Sequence, residues 1–305
     1  MNTNKPVHSG QFFDQTITLA HGSGGQLGVD CTKTLSGDYR VTAVDFPEID
    51  ITSRQSLDDA WDAHQPQVVI NCAAYTQVDG AEQDRETAFA VNRDGARVLA
   101  EAAAAAQAWM LQVSTDFVFS GQSSAPYTED DPTGPLGVYG QSKRDGELAV
   151  LQACASSIVV RTAWLYGVHG NNFVKTMLRL AAQRDELRVV SDQTGTPTWT
   201  RDLAGALWEL MQEPQAGVFH FSDAGQASWY EFAAAIVEEA RALGFPVQAQ
   251  RVVPITTAEY PTPAQRPAYS VLSKAKIERL LAAPIPHWRD SLRAMLKELQ
   301  QCPES

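Results

Sequence analysis

The chain has 305 residues, 44% hydrophobic and 20% charged, which is the balance of a folded protein with one large or two smaller domains. Its 24 basic and 36 acidic residues give a net charge of −12, which argues against a nucleic-acid-binding surface. No apolar run reaches the ~20 residues of a membrane span, and the start lacks the apolar core of a secretory signal. Four widely separated cysteines predict neither a disulfide framework nor a zinc site, so we expect a cytoplasmic protein with no membrane partner.

The first two-thirds of the chain alternates strand and helix patterns. Strands are predicted at 16–20, 40–45, 68–72, 110–114 and 157–161. Helices are predicted at about 29–35, 57–64, 81–109 with a break near Asn92, and 138–154. A capping box of Thr52 and Gln55 is expected to open the second of these helices. The alternation predicts an α/β protein with a Rossmann-like, doubly wound parallel sheet.

The pattern loosens after about residue 166 and predicts a smaller C-terminal α/β lobe. Helices are expected at 173–184, 203–212, 229–243 and 288–300, with short strands at 187–191 and 218–221. We therefore expect a first domain at 16–165 and a lobe made mainly of 166–305, with segments around 200–225 returning to the first domain. Residues 1–15 form an extension before the first domain.

A glycine-rich turn stands between the first strand and the first helix. Gly22, Gly25 and Gly28 are each separated by two residues, and such glycines let a pyrophosphate approach a helix N-terminus. Asp45 ends the second strand, where an acid can accept a hydrogen bond from a ribose 2′-hydroxyl. The turn predicts a dinucleotide site, so the first domain is expected to bind NAD(P), and the acid favours NADH over NADPH.

Tyr139 and Lys143 lie four residues apart on a predicted helix and therefore share one face. A lysine ammonium beside a tyrosine lowers the phenol pKa and makes it a usable proton donor, although such pairs also occur on solvated helix faces. Ser114, Thr115 and Asp116 end a predicted parallel strand, where open α/β sheets bind ligands. Together the two motifs predict a proton-transfer site.

These motifs resemble the extended short-chain dehydrogenase/reductase superfamily, and longer stretches resemble its dTDP-4-dehydrorhamnose reductase family. The resemblance runs from about Gly25 to Leu299. Its most specific stretches are GQLG at 25–28, NCAAYTQVD at 71–79, STDFVF at 114–119, RTAWLYG at 161–167 and YPTPAQRP at 260–267.

The resemblance implies the last step of dTDP-L-rhamnose synthesis, in which NADH or NADPH delivers hydride to C4 of a dTDP-4-keto sugar. It implies that Tyr139 protonates the alkoxide and that Lys143 holds the nicotinamide ribose and lowers the tyrosine pKa. It also implies that Thr115 hydrogen-bonds either the carbonyl or the tyrosine hydroxyl. Substrate contacts are implied for Thr115, Asp116, Trp164 and Arg266. Cofactor contacts are implied for Gly22, Gly25, Gln26, Leu27, Gly28, Asp45, Asp50, Ile51, Ala74, Tyr75 and Thr76, with Tyr139 and Lys143.

Two departures from the family pattern qualify these expectations. His21 stands where an apolar strand residue is usual, and we interpret it as a loop histidine. Some relatives dimerise around Mg²⁺; Glu298 matches a ligand position, but Arg201 replaces another carboxylate. Because a cation at that position opposes Mg²⁺, we expect no metal site, and a monomer or homodimer.

Two alternative functions remain open at this point. One is reduction of a different 4-keto-6-deoxy sugar nucleotide, because the sequence does not fix the face of hydride delivery. The other is a non-catalytic, NAD(P)-binding regulatory subunit. The intact set of Thr115, Tyr139 and Lys143 favours an enzyme, since a binding module has no need of a proton donor.

Overall fold

The computed structural model describes residues 17–35 and 40–302, and a six-stranded parallel sheet organises its first part. Across the sheet the strands are β10 (Gly217–His220), β5 (Ser157–Thr162), β4 (Trp109–Thr115), β3 (Val68–Asn71), β1 (Ile17–His21) and β2 (Arg40–Val44). Neighbouring strands all run parallel, which confirms the predicted α/β fold class. The predicted extension at 1–15, and Thr16 of the predicted first strand, lie outside the described residues.

Helices connect the strands. They are α1 (Gln26–Leu35), α2 (Arg54–His64), α3 (Val78–Ala81), α4 (Arg85–Phe89), α5 (Ala96–Ala105), α6 (Val138–Ala153) and α8 (Thr200–Gln212). Apart from the corrections below, their bounds differ from the predicted ones by a few residues, because helix ends depend on local caps more than on the apolar pattern.

Alternate residues of the central strands fill two separate apolar layers. Val69 and Val159 pack with Leu99 in one layer, and Val160, a neighbour of Val159 in the chain, packs with Leu203 in the other. Since successive side chains of a strand point to opposite faces, a sheet covered on both sides needs continuous apolar strands. This explains why these strands could be predicted from short apolar runs.

The predicted capping box at the start of α2 was wrong. The N-cap is Ser53, whose side chain accepts a hydrogen bond from the Ser56 backbone N–H at 3.3 Å, and the helix begins at Arg54. Thr52 instead donates its hydroxyl hydrogen to Asp50 Oδ1 at 2.6 Å. Ser53, one position after Thr52, is therefore the residue that caps the helix.

The long helical stretch before β4 contains a π-helical turn, Ala90–Gly95, where a break near Asn92 was predicted. The Asn92 amide donates to the Tyr75 carbonyl at 3.1 Å and to the Ser142 hydroxyl at 2.9 Å. A Cβ added at Gly146 would lie 2.0 Å from the Asn92 carbonyl oxygen, so α6 approaches this turn closely. The widened turn thus ties the helix to two neighbouring segments.

His21 is the last residue of β1, so its interpretation as a loop residue was wrong. Its backbone pairs with Val44 of β2 and with Asn71 of β3. Pairing on both sides fixes β1 in spite of its polar sequence, because a strand between two partners tolerates polar residues better than an isolated strand does.

The C-terminal part of the chain adds helices around short two-stranded sheets. The helices are α7 (Phe173–Ala181), α9 (Trp229–Ala242) and α10 (Trp288–Gln301). The strands are β6 (Leu165–Tyr166) with β9 (Thr198–Trp199), β7 (Glu186–Val190) with β12 (Arg251–Ile255), and β8 (Thr194–Gly195) with β11 (Ala227–Ser228). These elements enclose a separate apolar core. Among the described residues, no helix is both long and apolar enough to cross a bilayer.

Candidate active site

A cavity of about 790 Å³ opens at the carboxyl ends of β1, β3, β4 and β5. Residues that follow these strands line it, including Gly22, Ala73, Asp116 and Ala163. The chain passes from β1 to β2 on one side and from β3 to β4 on the other, so the strand order reverses beside β1. Open α/β sheets bind ligands at such a switch point.

The glycine turn forms one end of the cavity. Gly22 has a φ of +79°, and a Cβ there would lie 2.7 Å from the Ala73 backbone nitrogen. A Cβ at Gly28 would lie 2.1 Å from the Gly22 carbonyl oxygen, so only glycine lets α1 start against this turn. The first residues of α1 line the cavity, where a helix N-terminus presents free N–H groups to an anion. This cradle fits the pyrophosphate of a dinucleotide.

Acidic residues after β2 border the same end of the cavity. The Asp45 carboxylate accepts hydrogen bonds from the backbone N–H groups of Gly24 and Phe46, both at 2.8 Å. Asp50 Oδ1 accepts from the backbone N–H of Thr52 at 2.9 Å. Asp45 thus joins the glycine turn to the strand that follows it, with its carboxylate lining the cavity.

The predicted proton-transfer residues meet where β4 ends beside α6. Tyr139 and Lys143 lie on α6, and Thr115 is the last residue of β4. Burial raises the pKa of Tyr139 to about 12, against the opposing effect of its hydrogen bond with the Thr115 side chain. The phenol is therefore protonated at neutral pH and available as an acid.

The structure corrects the predicted effect of Lys143 on the tyrosine pKa. Lys143 Nζ donates to the Val113 carbonyl at 2.7 Å, and burial is the main influence on Tyr139. Burial also lowers the pKa of Lys143 to about 8, although the Glu147 carboxylate one turn away opposes this shift. Four residues of spacing put both side chains on one face of α6, but the ammonium turns to a strand carbonyl.

Asp116 is a buried carboxylate beside Thr115. Its Oδ1 accepts the Thr115 hydroxyl at 3.1 Å, and the Ser270 side chain lies beside the same carboxylate and lowers its pKa against the effect of burial. Burial raises the pKa of Asp116 to about 6. Because Thr115 and Asp116 both line the cavity, a ligand hydroxyl that reaches Thr115 lies close to this carboxylate.

Two further predicted substrate residues, Arg266 and Trp164, also line the cavity. Arg266 donates to both carboxylate oxygens of Asp79, at 3.0 and 2.8 Å, so its charge is partly compensated. Trp164 follows β5 with a φ of +48° and stacks on Trp229. Of the predicted site residues only Tyr75 is absent from the cavity lining; its backbone bonds to Asn92 instead.

Several lining residues escaped the sequence reasoning, among them Phe46, Thr162, Asn171 and Trp229. Thr162 and Asn171 lie in or beside segments that resemble the reductase family, so the resemblance could have found them. Phe46, 71% exposed, and Trp229 carry no local sequence signal, since only the tertiary fold brings them to the cavity.

Glu298, which matches a Mg²⁺-ligand position of some relatives, forms an ion pair with Arg201. Arg201 donates to Glu298 Oε1, so the matching carboxylate already has a cationic partner. Within the described ranges, no group of three or more histidine, cysteine or acidic side chains is arranged to hold a metal ion.

The chain is similar to known proteins in sequence and in fold. The sequence model of the RmlD substrate binding domain family matches residues 16–301. The chain is 42% identical over 284 residues to the spore coat polysaccharide biosynthesis protein SpsK of Bacillus subtilis, covering 93% of this chain and 98% of that protein. It is 44% identical over 283 residues to a dTDP-4-dehydrorhamnose reductase of Aggregatibacter actinomycetemcomitans, covering 90% and 96%. The crystal structure of dTDP-4-dehydrorhamnose reductase from Bacillus anthracis in complex with NADP matches with a TM-score of 0.89 and 35% identity, over 93% of this chain and 99% of the other.

Proposed function

The chain belongs to the RmlD substrate binding domain family. We propose that its cavity binds the cofactor and the sugar nucleotide and carries out the dTDP-4-dehydrorhamnose reductase reaction. The protein is an NAD(P)H-dependent oxidoreductase that reduces dTDP-4-dehydrorhamnose in the final step of dTDP-rhamnose synthesis. One observation carries the assignment of the site: a single cavity contains both the glycine turn and the set Thr115, Tyr139 and Lys143.

The glycine turn and the N-terminus of α1 hold the cofactor pyrophosphate, and Asp45 and Asp50 hold its adenosine end. Ile51, Ala74 and Thr76 provide further walls of this half of the cavity. Lys143, fixed to the Val113 carbonyl, holds the nicotinamide ribose. When bound, NAD(P)H supplies the hydride that reduces the C4 carbonyl.

The carbonyl oxygen of the substrate lies against the hydroxyl groups of Thr115 and Tyr139. When the substrate is bound, the Thr115 hydroxyl turns its single hydrogen from Asp116 Oδ1 to this oxygen. Tyr139 transfers its phenolic proton to the oxygen as negative charge develops. A phenol with a pKa of about 12 is a weak acid, but an alkoxide is the stronger base, so the proton moves downhill. The phenolate then recovers a proton from solvent.

The remaining contacts orient the sugar nucleotide. The Asp116 carboxylate accepts a sugar hydroxyl, and Trp164 forms the wall beside the reacting sugar. Arg266 faces the nucleotide part of the substrate. Its ion pair with Asp79 compensates only part of its positive charge, and the rest attracts the nucleotide.

The test is consumption of NADH and NADPH by the purified chain with dTDP-4-dehydrorhamnose generated in situ, followed by NMR of the product. Tyr139→Phe is expected to lower kcat by about 10²- to 10⁴-fold while cofactor affinity is retained. Tyr260→Phe is the control, because Tyr260 is 60% exposed and lies outside the cavity lining. An unchanged rate in Tyr139→Phe would exclude it as the proton donor, and a product other than dTDP-L-rhamnose would reassign the substrate.

A further inference from the structure

Trp164 is held in a backbone conformation that bulky residues rarely adopt. Its φ of +48° lies in the left-handed region, which costs free energy for a residue with a Cβ and persists only where the surroundings enforce it. The Trp164 carbonyl accepts a hydrogen bond from the Thr198 backbone N–H at 3.2 Å. Strained residues of this kind are concentrated at ligand-binding sites, and Trp164 lines the cavity.

Both faces of the Trp164 indole are covered. The Trp229 ring stacks on it with centroids 3.5 Å apart and planes 5° from parallel. A Cβ added at Gly195 would lie 2.5 to 2.8 Å from three atoms of the Trp164 ring. Since Trp229 occupies one face, the Gly195 backbone lies against the other, and the indole has little room to tilt.

Trp229 is itself fixed. It is the first residue of α9, and its neighbour Ser228 forms a capping box with Glu231: the Glu231 backbone N–H donates to Ser228 Oγ at 3.1 Å, and the Ser228 backbone N–H donates to Glu231 Oε2 at 2.7 Å. The Phe173 ring contacts Trp229 with centroids 4.6 Å apart. The capped N-terminus of α9 and the Phe173 ring therefore fix the Trp229 indole in the lining of the cavity.

The stacked pair lies at the reacting end of the cavity. Thr115 pairs in the sheet with Thr162, only two residues before Trp164. Any part of a ligand that reaches the Thr115 and Tyr139 hydroxyls therefore lies near the indole pair rather than near the glycine turn.

We propose that Trp229 is a positioning residue for the reductase reaction: with Gly195 it clamps the Trp164 indole, and the clamped indole orients the deoxysugar ring of the sugar nucleotide. The inference rests on the proposed function, since it takes Trp164 as a substrate contact. It assigns to the C-terminal lobe a direct part in recognising the sugar, with the nucleotide held elsewhere.

The experiment measures the binding of dTDP-L-rhamnose, dTDP and NADPH to the full chain, together with steady-state kinetics. Trp229→Ala is expected to weaken dTDP-L-rhamnose binding by about 2- to 12-fold, the factor equivalent to one aromatic pair, and to raise KM more than it changes kcat. Trp229→Phe, which keeps a ring on the stack, is expected to recover part of this loss. Affinities for dTDP and NADPH should stay within about twofold in both variants.

Two further variants complete the experiment: one acts on the Trp164 indole from its other face, and one is a control. Gly195→Ala forces the same ring from its opposite face and should reproduce the loss of sugar-nucleotide affinity. Trp61→Phe, on α2 and outside the cavity lining, is the control. In the NMR spectrum, the Trp164 indole N–H resonance, assigned with Trp164→Phe, should move in Trp229→Ala and stay in Trp61→Phe, because a stacked ring shifts its neighbour.

The outcomes separate this inference from the proposed function. If Trp164→Phe leaves dTDP-L-rhamnose binding unchanged, the proposed Trp164 contact itself is wrong. If Trp164→Phe weakens binding but Trp229→Ala and Gly195→Ala do not, the clamp is overturned and the contact stands. Equal losses for dTDP and dTDP-L-rhamnose in Trp229→Ala would also overturn it, because the effect would then not concern the sugar.

Discussion

The residues around the reacting carbonyl differ in protonation because burial acts on each of them in its own direction. Burial favours the neutral forms of Tyr139 and Asp116, raising their pKa to about 12 and about 6, and lowers the pKa of Lys143 to about 8. Between about pH 6 and about pH 8, Tyr139 is therefore a neutral phenol, Asp116 a carboxylate and Lys143 an ammonium. This is the combination that the proposed reduction requires.

Asp116→Asn is expected to remove the acid limb of the pH profile. In the unsubstituted enzyme kcat/KM should fall as the pH drops below about 6, because a protonated Asp116 no longer accepts the sugar hydroxyl. The folded pKa is raised above its unfolded value, so ionisation destabilises the fold as the pH rises from about 4 to about 6, and the amide should relieve that cost at neutral pH. Rate profiles and urea unfolding at several pH values measure both; an unchanged acid limb in the variant would contradict the role.

Asp45→Asn is expected to shift the cofactor preference toward NADPH. The carboxylate lines the cavity beside the glycine turn, where a negative charge repels the 2′-phosphate of NADPH and favours NADH. The ratio of kcat/KM for NADPH to that for NADH should rise by about tenfold. Asp62→Asn, on the exposed side of α2, is the control, and the same ratio in all three proteins would show that Asp45 does not select the cofactor.

At the scale of elements, the strand-to-helix connection at β1 and α1 depends on backbone contact. Gly28→Ala places a methyl group 2.1 Å from the Gly22 carbonyl and 2.6 Å from the Ser23 Cα, both backbone atoms that a rotamer change cannot move. We expect NADPH affinity to fall by at least about tenfold because the pyrophosphate cradle must open.

Gly205→Ala is the matched control for this substitution. Gly205 lies inside α8 with no atom within 4 Å of an added Cβ, so the change should stabilise the fold by up to about 1 kcal/mol and leave cofactor binding alone. Fluorescence titration of NADPH and thermal unfolding of both variants make the comparison. Equal NADPH affinity in Gly28→Ala and Gly205→Ala would contradict the cradle.

Elements that depend on local sequence could be predicted, and those that depend on tertiary contact could not. The strands β3 and β5 follow from their continuous apolar runs, and the glycine turn from its spacing. The direction of the Lys143 side chain could not be foreseen, since its partner is the carbonyl of Val113 on another strand. Trp229 reaches the cavity only through the packing of α9, so no local pattern marks it.

At the scale of the whole molecule, residues of the parallel sheet and residues from later in the chain line the same site. The sheet provides the cofactor cradle and the proton-transfer residues, while Trp229 and Arg266, later in the chain, complete the substrate side. The predicted division at about residue 166 stays a prediction, although β10 and α8 do pack with the earlier elements.

A buried ion pair behind the site links catalysis to the stability of the whole fold. Arg161 on β5 and Glu147 on α6 form two short hydrogen bonds, 2.9 Å from Nε to Oε1 and 2.8 Å from Nη2 to Oε2, with side chains only 6% and 3% exposed. The Glu147 carboxylate also supports the charge of Lys143 one turn earlier. The same carboxylate thus compensates a buried cation and tunes a catalytic one.

Glu147→Gln is therefore expected to have two effects. It leaves the Arg161 charge buried without a full partner, which should cost about 3–5 kcal/mol in the free energy of unfolding, whereas Asp58→Asn in the exposed pair with Arg54 should cost less than about 1 kcal/mol. The substitution should also lower the pKa of Lys143 below about 8. Because kcat/KM is expected to fall at alkaline pH as Lys143 loses its proton, this fall should move to lower pH. The double variant Glu147→Leu with Arg161→Leu should recover much of the stability, because no unpaired charge remains, but not the alkaline limb. Urea unfolding and pH–rate profiles of the four proteins separate the two effects; a stability loss without any shift of the alkaline limb would show that Glu147 serves the fold alone.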